Sequence, residues 1–325
     1  MKTTVAVIYG GRSGEHEVSI RSGKAIMAAL DRERYDVMDY FIDQAGKWAP
    51  EPILPEPGAH PEIDVVFPVL HGTFGEDGTV QGLLELADLP YVGAGVLASA
   101  VSMDKEMMKR ICIERGLPVV EYVVQARHAL DPEPIAKGFP FPVFVKPANL
   151  GSSVGISKVH NYAELEPAMR LAAEFDRKII VERSIEGREL ECAVLGNDDP
   201  VASLPCEILP SKEFYDYEDK YLLDQAQFRL PAELGAAETA ELRRLAVECY
   251  RAVGCEGMAR VDFLLESATG KLYLNEINTI PGFTSISMYP KMWEQSGLSF
   301  SGLVDRLIEL ALERHAARKA TRFTR

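Results

Sequence analysis

The sequence predicts an α/β protein that begins with a doubly wound parallel sheet. Residues 3–9 (TTVAVIY) are apolar on both faces, as in a buried parallel strand, and Gly10-Gly11 then turns the chain into a helical pattern at 19–30. Further strand patterns, "YDVMDYFI", "IDVVFPVL" and the short "YVGA", alternate with the helical stretch "TVQGLLELADL". This alternation predicts a parallel sheet with ligand-binding loops at the carboxyl ends of its strands.

The pattern changes after about residue 100. The helical stretch "SMDKEMMKRICIERG" ends at Gly116, where a capping glycine is expected. Two strands, "FPVFVKPA" and "VGISKVH", then surround the loop "NLGSS", and a helix over 164–175 precedes the strand "KIIVERS". The rest predicts, in order, the strand "GRELECAVLG", a polar stretch at 210–230, a helix at 236–253, a hairpin at 257–278 and a helix at 301–314 whose basic tail is frayed and solvated.

The composition narrows the class of function. The chain has 325 residues, is 47% hydrophobic and carries a net charge of −14, which argues against a nucleic-acid partner because phosphate binding needs a basic face. No apolar run reaches membrane-spanning length, so no membrane partner is expected. The five cysteines lack paired metal-ligand spacing and predict reduced thiols, and with them a cytoplasmic protein.

The predicted hairpin carries acids and amides where a strand usually does not. Folding about "SATG" places Asp262 opposite either Asn275 or Glu276, and Glu276 and Asn278 share one face of their strand. Three such oxygen donors suit Mg²⁺, and Arg260 on the face of Asp262 suits an anionic transition state. The alternative is a polar sheet face in solvent.

The stretch "VKPANLGSSVG" (145–155) joins two strands through a loop rich in Gly and Ser. Backbone N–H groups of such a loop can cradle phosphates, and Lys105, Lys146 and Lys220 could clamp a triphosphate as point charges. The alternative is an ordinary hairpin turn.

Two loops of the first sheet are candidates for substrate contact. Glu15 lies near the start of a helix at the mouth of the sheet, where its carboxylate could hold a substrate ammonium or simply cap the helix. His71 opens the glycine-rich loop "HGTFGEDG" and is either structural or part of the same cleft.

These blocks together resemble the D-alanine–D-alanine ligases of the ATP-grasp superfamily. The resemblance extends over nearly the whole chain and includes "GGRSGEHEVS", "HGTFGEDGTVQG", "VKPANLGSSVGISKV", "FYDYEDKY", "GMARVDFLLE" and "NEINTIPGFTSISMYP". It implies a two-lobed ATP-grasp fold after the N-terminal sheet. The implied domains are a substrate-binding domain at 1–100, a central subdomain at 101–186, and a C-terminal subdomain at 187–325 with the metal site and a mobile lid at about 210–230.

The resemblance implies ATP-dependent joining of two D-alanine molecules through D-alanyl phosphate, for peptidoglycan precursors. It further implies two Mg²⁺ (or Mn²⁺) ions held by Asp262, Glu276 and Asn278. The enzyme would be a cytoplasmic homodimer whose small-molecule substrates are D-alanine and ATP.

The resemblance also implies roles for single residues. Glu15 would hold the first ammonium and link to Ser152 and Tyr221, with His71 nearby. Arg260 and the backbone N–H of Gly282 would stabilise the oxyanion, and Ser287 and Met288 would receive the second carboxylate. The implied contacts to ATP are Lys105, Lys146, Ser152, Ser153, Glu182, Ile185, Glu189, Lys220 and Asn275.

Three other functions fit part of the sequence. A sister ligase would join D-alanine to D-lactate or D-serine, although "YDYEDKY" keeps the tyrosine associated with alanine as second substrate. A nucleotide-driven switch would need no oxyanion donor, and a kinase would release an acyl phosphate without an acceptor amine.

Overall fold

The structure is a computed structural model that describes residues 2–151, 154–209, 227–284 and 286–322, and these residues form three sheets with flanking helices. The strands are β1 Thr3–Gly10, β2 Tyr35–Ile42, β3 Trp48–Ala49, β4 Val65–Pro68, β5 Tyr122–Ala126, β6 Val143–Pro147, β7 Ser157–Val159, β8 Lys178–Arg183, β9 Gly187–Leu195, β10 Val201–Ala202, β11 Cys206–Leu209, β12 Gln227–Arg229, β13 Met258–Glu266 and β14 Leu272–Asn278. The helices are α1 His16–Ala29, α2 Thr79–Leu86, α3 Val96–Met103, α4 Lys105–Glu114, α5 Pro132–Gly138, α6 Tyr162–Phe175, α7 Ala236–Ala252, α8 Met288–Gln295 and α9 Phe300–Lys319.

The first sheet has the strand order β3-β2-β1-β4, with β1 parallel to both of its neighbours. Successive residues of β1 point to opposite faces, and both faces are covered. Val7 packs in one core with Ile26 of α1 and Leu307 of α9. Its neighbour Ile8 packs in a second core with Leu84 of α2. The doubly wound N-terminal sheet predicted from the sequence is therefore confirmed.

The second and third sheets are antiparallel. The second has the order β5-β8-β6-β7 and packs against α6, and Met169 and Val145 belong to their shared apolar core. The third has the order β12-β11-β9-β13-β14, with β10 paired to β9, and packs against α7, and Leu242 and Val194 belong to their shared apolar core. The ligand cavity described below is lined by both sheets.

Four expectations differ from the structure. The predicted strand "YVGA" is one bridge between Val66 and Tyr91, because the positive φ of Gly93 turns the chain away. Most of the expected lid lies outside the described residues, but its end forms β12, paired with β11. The basic tail is not frayed up to Lys319, since α9 continues to that residue. Several short elements were not predicted from the sequence, among them β3, β5, β10, β11, α5 and α8.

Among the helices within the described ranges, none combines the length and the hydropathy needed to cross a lipid bilayer.

Candidate active site

A cavity of about 420 Å³ opens between the second and third sheets. Lys105 of α4, Lys146 of β6 and Glu182 of β8 line it from the central part of the chain. Asp262 and Glu276 line it from the β13–β14 hairpin. The structure thus brings together residues that the sequence assigned separately to phosphates, adenine and metal.

The hairpin register decides whether Asp262 lies opposite Asn275 or Glu276, which the sequence left open. Asp262 lies opposite Glu276, and a register shift follows directly, so that Phe263 lies opposite Leu274. The shift makes Asn275 the extra residue of a β-bulge, a device that re-aims side chains beside active sites. Asn278 donates from Nδ2 to Asp262 Oδ2 at 3.0 Å, which brings the predicted metal ligands together.

Arg260 is held by two carboxylates. Its Nε and Nη2 donate to the two oxygens of Asp262, both at 2.7 Å, and Nε lies 3.1 Å from Glu191 Oε1. Burial works against its charge, but Asp262 and Glu191 outweigh burial and raise the pKa of the guanidinium further. Arg260 is therefore a fixed cation at the end of the hairpin.

The donor set fits magnesium better than a soft metal. It contains two carboxylates and one amide, and within the described ranges no group of three or more His, Cys, Asp and Glu residues is arranged to hold a metal. Mg²⁺ is typically bound through one or two carboxylates together with waters and substrate phosphates. Glu276 also lies 3.2 Å from Lys105 Nζ, so positive charge already gathers beside these oxygens. Asp262, Glu276 and Asn278 fit Mg²⁺ when phosphates are present.

Three charged side chains form a buried cluster at the inner wall of the cavity, which we call the lysine–glutamate triad: Lys109, Lys146 and Glu182. Glu182 Oε2 lies 2.5 Å from Lys146 Nζ, and Oε1 lies 2.8 Å from Lys109 Nζ. Burial opposes ionisation of Glu182, but the two ammonium groups outweigh it and hold the pKa of its carboxyl at about 2. Glu182 is thus a carboxylate at neutral pH.

The other predicted ATP contacts fall into two groups. Ile185, Glu189 and Asn275 line the same cavity, and Asn275 Oδ1 accepts a hydrogen bond from Lys146 at 3.4 Å. Lys105 donates from Nζ to the carbonyl of Leu150 at 2.8 Å, which links α4 to the Gly/Ser loop. The remaining predicted residues lie outside the described part of the chain: Ser152, Ser153, Lys220 and Tyr221.

Glu15 lies where two glycine loops meet. A Cβ built on Gly72 would lie 2.5 Å from Glu15 Oε2, and one built on Gly151 would lie 3.5 Å from it. Glu15 is the N-cap residue of α1, yet its side chain makes no capping hydrogen bond there. The carboxylate is therefore directed between the N-terminal sheet and the Gly/Ser loop and does not cap its helix.

His71 is buried, and both of its ring nitrogens are engaged. Nδ1–H donates to the carbonyl of Ile280 at 2.9 Å, since a carbonyl oxygen can only accept. Nε2 then accepts from the hydroxyl of Ser22 at 3.0 Å. Burial lowers the pKa of the imidazole, which keeps it neutral. His71 thus connects the N-terminal domain to the turn that follows β14.

The turn after β14 is held at two further points. Ile280 N–H donates to Glu76 Oε1 at 3.0 Å, and Phe283 N–H donates to Ser22 Oγ at 3.3 Å. Gly72 N–H donates to the other oxygen of Glu76 at 2.7 Å. Gly282 lies between these anchors, so its backbone is positioned by the N-terminal domain.

Ser287 and Met288 begin helix α8. Ser287 is the N-cap residue, and its Oγ accepts from Thr284 N–H at 3.0 Å. The side chain of Met288 is buried and its sulfur lies 3.6 Å from Cys206 Sγ, so only its backbone is suited to contact a ligand. The positive end of a helix favours an anion at this place.

Sequence reasoning missed Glu191, Lys109 and Ser22 and gave Glu76 no role. Lys109 follows Lys105 by one helical turn and shares its face, which is a signal visible in the sequence. Glu191 follows Glu189 by two residues in an otherwise apolar strand, and a carboxylate there is unusual. Ser22 gave no comparable signal.

Two sequence models of known domains match this chain. The one described as D-ala D-ala ligase N-terminus matches residues 4–60 and 55–94, and the one described as D-ala D-ala ligase C-terminus matches residues 111–309. A D-alanine–D-alanine ligase from Solibacter usitatus is 72% identical over 325 residues, which is 100% of both chains. Another from Thermoanaerobacter pseudethanolicus is 50% identical and covers 97% of this chain and 98% of the relative.

Solved structures give the same comparison in three dimensions. The D-alanine–D-alanine ligase from Coxiella burnetii superimposes with a TM-score of 0.88 at 39% identity, covering 98% of this chain and 96% of that one. The VanG D-Ala:D-Ser ligase from Enterococcus faecalis superimposes with a TM-score of 0.88 at 36% identity, covering 96% of this chain and 100% of that one.

Proposed function

This chain belongs to the D-alanine–D-alanine ligase family, and we propose that the residues named below carry that family's reaction in the roles given. The chain has the ATP-grasp fold and joins two D-alanine molecules into the dipeptide at the expense of ATP, through D-alanyl phosphate. The observation that best supports the roles is that Asp262 and Glu276 line one cavity together with Lys105 and Lys146. Arg260 is joined to this group by its ion pair with Asp262.

ATP lies along this cavity. Lys105 and Lys146 neutralise its phosphates as point charges, which an anionic, loosely bound transferring group requires. Glu182 and Ile185 contact the adenine, and Glu189 contacts the ribose hydroxyls. All five residues line the cavity.

Asp262, Glu276 and Asn278 hold two Mg²⁺ (or Mn²⁺) ions, and Asn275 contacts the nucleotide beside Lys146. When bound, the ions would neutralise the negative charge of the phosphates. The register of Asp262 with Glu276 and the hydrogen bond from Asn278 support this set.

The first D-alanine binds between the two glycine loops. Its ammonium pairs with Glu15, and the buried His71 lies behind it and fixes the turn after β14. The substrate carboxylate then attacks the γ-phosphate of ATP, the bond to the β-phosphate oxygen breaks, and ADP leaves, so that the carboxylate becomes an acyl phosphate.

The second D-alanine binds at the start of α8. Its carboxylate contacts Ser287 and the backbone of Met288, where the helix end is positive. Its amine attacks the carbonyl of the acyl phosphate and displaces phosphate. The oxyanion of the tetrahedral intermediate is stabilised by Arg260 and by Gly282 N–H, and such donors typically contribute a factor of about 10² to 10³ in rate.

Four residues outside the described ranges complete the proposal. The N–H groups of Ser152 and Ser153 cradle phosphates, and Lys220 contacts ATP. Tyr221 and Ser152 join Glu15 in a hydrogen-bonded link. The segment at about 210–230 acts as a lid that keeps water from the acyl phosphate.

The test measures phosphate release and identifies the product by mass, with ATP, Mg²⁺ and D-alanine. We expect one D-alanyl-D-alanine for each phosphate, and a loss of at least about 10²-fold in Glu276→Gln. Glu266→Gln, at the other end of the same hairpin, is the matched control and keeps its activity. Phosphate release without a matching amount of D-alanyl-D-alanine would overturn the proposal.

The structural relative VanG, a D-Ala:D-Ser ligase, motivates a second arm of that test. D-serine or D-lactate is added together with D-alanine. A mixed product in excess over D-alanyl-D-alanine would reassign the second substrate while leaving the ATP roles unchanged. We expect the dipeptide of D-alanine to dominate.

We further propose that the three domains are 1–100, 101–186 and 187–325.

We also propose that the enzyme is cytoplasmic and forms a homodimer. Leu86 of α2 and Leu97 of α3 are 65% and 69% exposed, which is unusual for large apolar side chains and suits a self-association surface. Light scattering on wild-type protein and on Leu97→Glu tests this. A wild-type monomer at micromolar concentration would exclude the dimer.

A further inference from the structure

Lys109 is a buried charged residue that the proposed ligation does not use. Its side chain is 0% exposed, whereas Glu182 and Lys146 line the cavity. Its ammonium lies 2.8 Å from Glu182 Oε1. Lys109 can therefore influence a bound nucleotide through its contact with Glu182.

Glu182 divides its two oxygens between two lysines of different kinds. Oε2 faces Lys146, which reaches into the cavity and also donates to Asn275. Oε1 faces Lys109, which is enclosed. A triphosphate in the cavity competes with Glu182 for Lys146. Once a triphosphate binds and engages Lys146, Lys109 is the lysine of the triad that remains paired with Glu182.

Because Glu182 is surrounded by aromatic side chains, its carboxylate needs the positive charge of Lys109 to stay ionised. Tyr122 and Phe144 are its direct neighbours on β5 and β6, and Lys109 Nζ lies 5.9 Å from the centroid of the Tyr122 ring. A carboxylate buried among aromatic rings without a cation takes up a proton instead of remaining charged. Without Lys109, binding of the phosphates would push Glu182 toward the neutral acid.

The protonation state of Glu182 decides which base it can recognise. A carboxylate only accepts hydrogen bonds, so it binds the exocyclic amine of a 6-aminopurine and repels the keto oxygen of a 6-oxopurine. A carboxylic acid has an O–H group and can donate to that keto oxygen.

We propose that Lys109 is a positioning residue that keeps Glu182 an acceptor facing the nucleotide base and thereby sets the preference for a 6-aminopurine over a 6-oxopurine. This inference rests on the proposed position of adenine beside Glu182. It adds selectivity to the nucleotide site and involves no step of the ligation itself.

The experiment measures equilibrium binding of ATP and of ITP by calorimetry with Mg²⁺ and without D-alanine. In Lys109→Met we expect ATP affinity to fall by about tenfold or more, the usual worth of a hydrogen bond to a charged group, while ITP affinity holds or rises. The ratio of the two affinities is the readout, because general damage to the cavity would weaken both nucleotides alike.

Two further variants serve as controls. Arg110→Met removes a cation from the next residue of the same helix, where Arg110 is exposed and pairs with Glu106 at 2.6 Å, and it keeps both affinities. Lys109→Arg retains the charge and restores the ATP preference. If Lys109→Met does not fold, Lys109→Gln replaces it, since an amide still donates one hydrogen bond but carries no charge.

A folded Lys109 variant with the wild-type ATP/ITP ratio would overturn the inference, as would an equal loss for both nucleotides. Because binding is measured without D-alanine, this result is separate from the ligase assay. An enzyme that prefers ATP through Lys109 but makes no dipeptide would refute the proposed function and leave this inference standing.

Discussion

Glu76 accepts hydrogen bonds from two backbone N–H groups, those of Gly72 and Ile280, yet it also lies close to the carboxylate of Glu15. Burial and the charge of Glu15 together raise the pKa of the Glu76 carboxyl to about 8. The folded protein therefore holds a proton here at a pH where the unfolded chain has released it.

The sign of the resulting pH dependence follows directly. Because the folded pKa lies above the unfolded one, the contribution of Glu76 to stability falls as pH rises from about 4.5 to about 8, by at most about 1.4 kcal/mol per pH unit. Urea unfolding of wild-type protein and of Glu76→Gln, at about pH 5.5 and about pH 7.5, tests this. We expect the wild type to lose stability relative to the variant as pH rises.

Glu174→Gln, a change of the same type on an exposed helical residue, controls for the substitution itself. A stability difference between wild type and Glu76→Gln that stays constant over this pH range would show that Glu76 does not titrate there.

Gly72 limits how close Glu15 can approach. Gly72 has φ of +75°, and a Cβ at this position would lie 2.5 Å from Glu15 Oε2. Gly72→Ala should displace the carboxylate and raise the KM for D-alanine by about tenfold or more, since a charged hydrogen bond to the substrate is lost. Steady-state kinetics with D-alanine varied and ATP saturating measures this.

Gly58→Ala is the matched control. Gly58 has φ of +80°, but a Cβ there would have no atom of another described residue, its chain neighbours aside, within 4 Å. Both variants should lose about 1 kcal/mol of stability through backbone strain, and only Gly72→Ala should change the KM. Equal KM values in the two variants would exclude the contact between Gly72 and Glu15 as the cause.

Which site residues could be found from the sequence depends on the range of their contacts. Arg260, Asp262 and Glu276 sit on one hairpin, so strand periodicity and a short turn were enough to bring them together. Glu191 lies beside Asp262 only because β9 pairs with β13, and no local pattern specifies that pairing. Lys109 reaches Glu182 from a helix onto a distant strand for the same reason.

At the scale of elements, α4 presents Lys105 to the cavity, and its start is fixed by Asp104. The Asp104 side chain accepts from Glu106 N–H and Met107 N–H, both at 3.1 Å, and pairs with Lys178 at 2.6 Å. Asp104→Ala should cost about 1 to 2 kcal/mol, the usual worth of an N-cap, and should raise the KM for ATP because the helix start carries Lys105.

Asp131→Ala removes the N-cap of α5, where the side chain accepts from Glu133 N–H at 3.0 Å, and this helix does not line the cavity. Chemical unfolding and the KM for ATP are measured for both variants. We expect similar stability losses and a change in KM only for Asp104→Ala. If the KM for ATP stays unchanged in both variants, the N-cap at Asp104 does not contribute to nucleotide binding.

The elements that sequence reasoning found are the long and strongly periodic ones, such as α6, β9 and the β13–β14 hairpin. The elements it missed are short, and tertiary pairing decides their conformation. β11 has four residues and pairs with β9, and β12 has three residues and pairs with β11. The bulge at Asn275 likewise depends on the partner strand.

At the scale of the whole molecule, helix α9 joins the C-terminal region to the first sheet. Arg314 donates to the carbonyls of Gly93 and Tyr91, and its guanidinium lies 4.3 Å from the centre of the Tyr91 ring. Leu307 and Ile308 of the same helix pack against the core of β1. The N-terminal sheet is thus stabilised from the far end of the chain.

Arg314→Ala should weaken this connection by about 1 to 3 kcal/mol, because buried carbonyls lose a charged donor. The chain has two tryptophans, Trp48 in β3 and Trp293 in α8, and each reports on one side of the contact. In single-tryptophan variants of the wild type, both probes should follow one unfolding transition. In Arg314→Ala, we expect the Trp48 transition to move to lower denaturant.

Arg306→Ala is the control on the same helix, since the ion pairs that Arg306 makes among the described residues lie within α9, with Glu309 at 3.2 Å and Glu313 at 2.8 Å. In this variant, the unfolding transitions reported by Trp48 and by Trp293 should coincide. Separated transitions in this control, or coincident ones in Arg314→Ala, would contradict the role given to Arg314.

Ile280 is held through both of its backbone polar groups, by His71 at its carbonyl and by Glu76 at its N–H. In evolutionary terms, the N-terminal domain is therefore not an exchangeable module. A chimera that takes this domain from a distant relative inherits a loop shaped for a different turn after β14. Residues 279–283 would have to be transplanted with it, and lineages that diverge in one segment should carry compensating changes in the other.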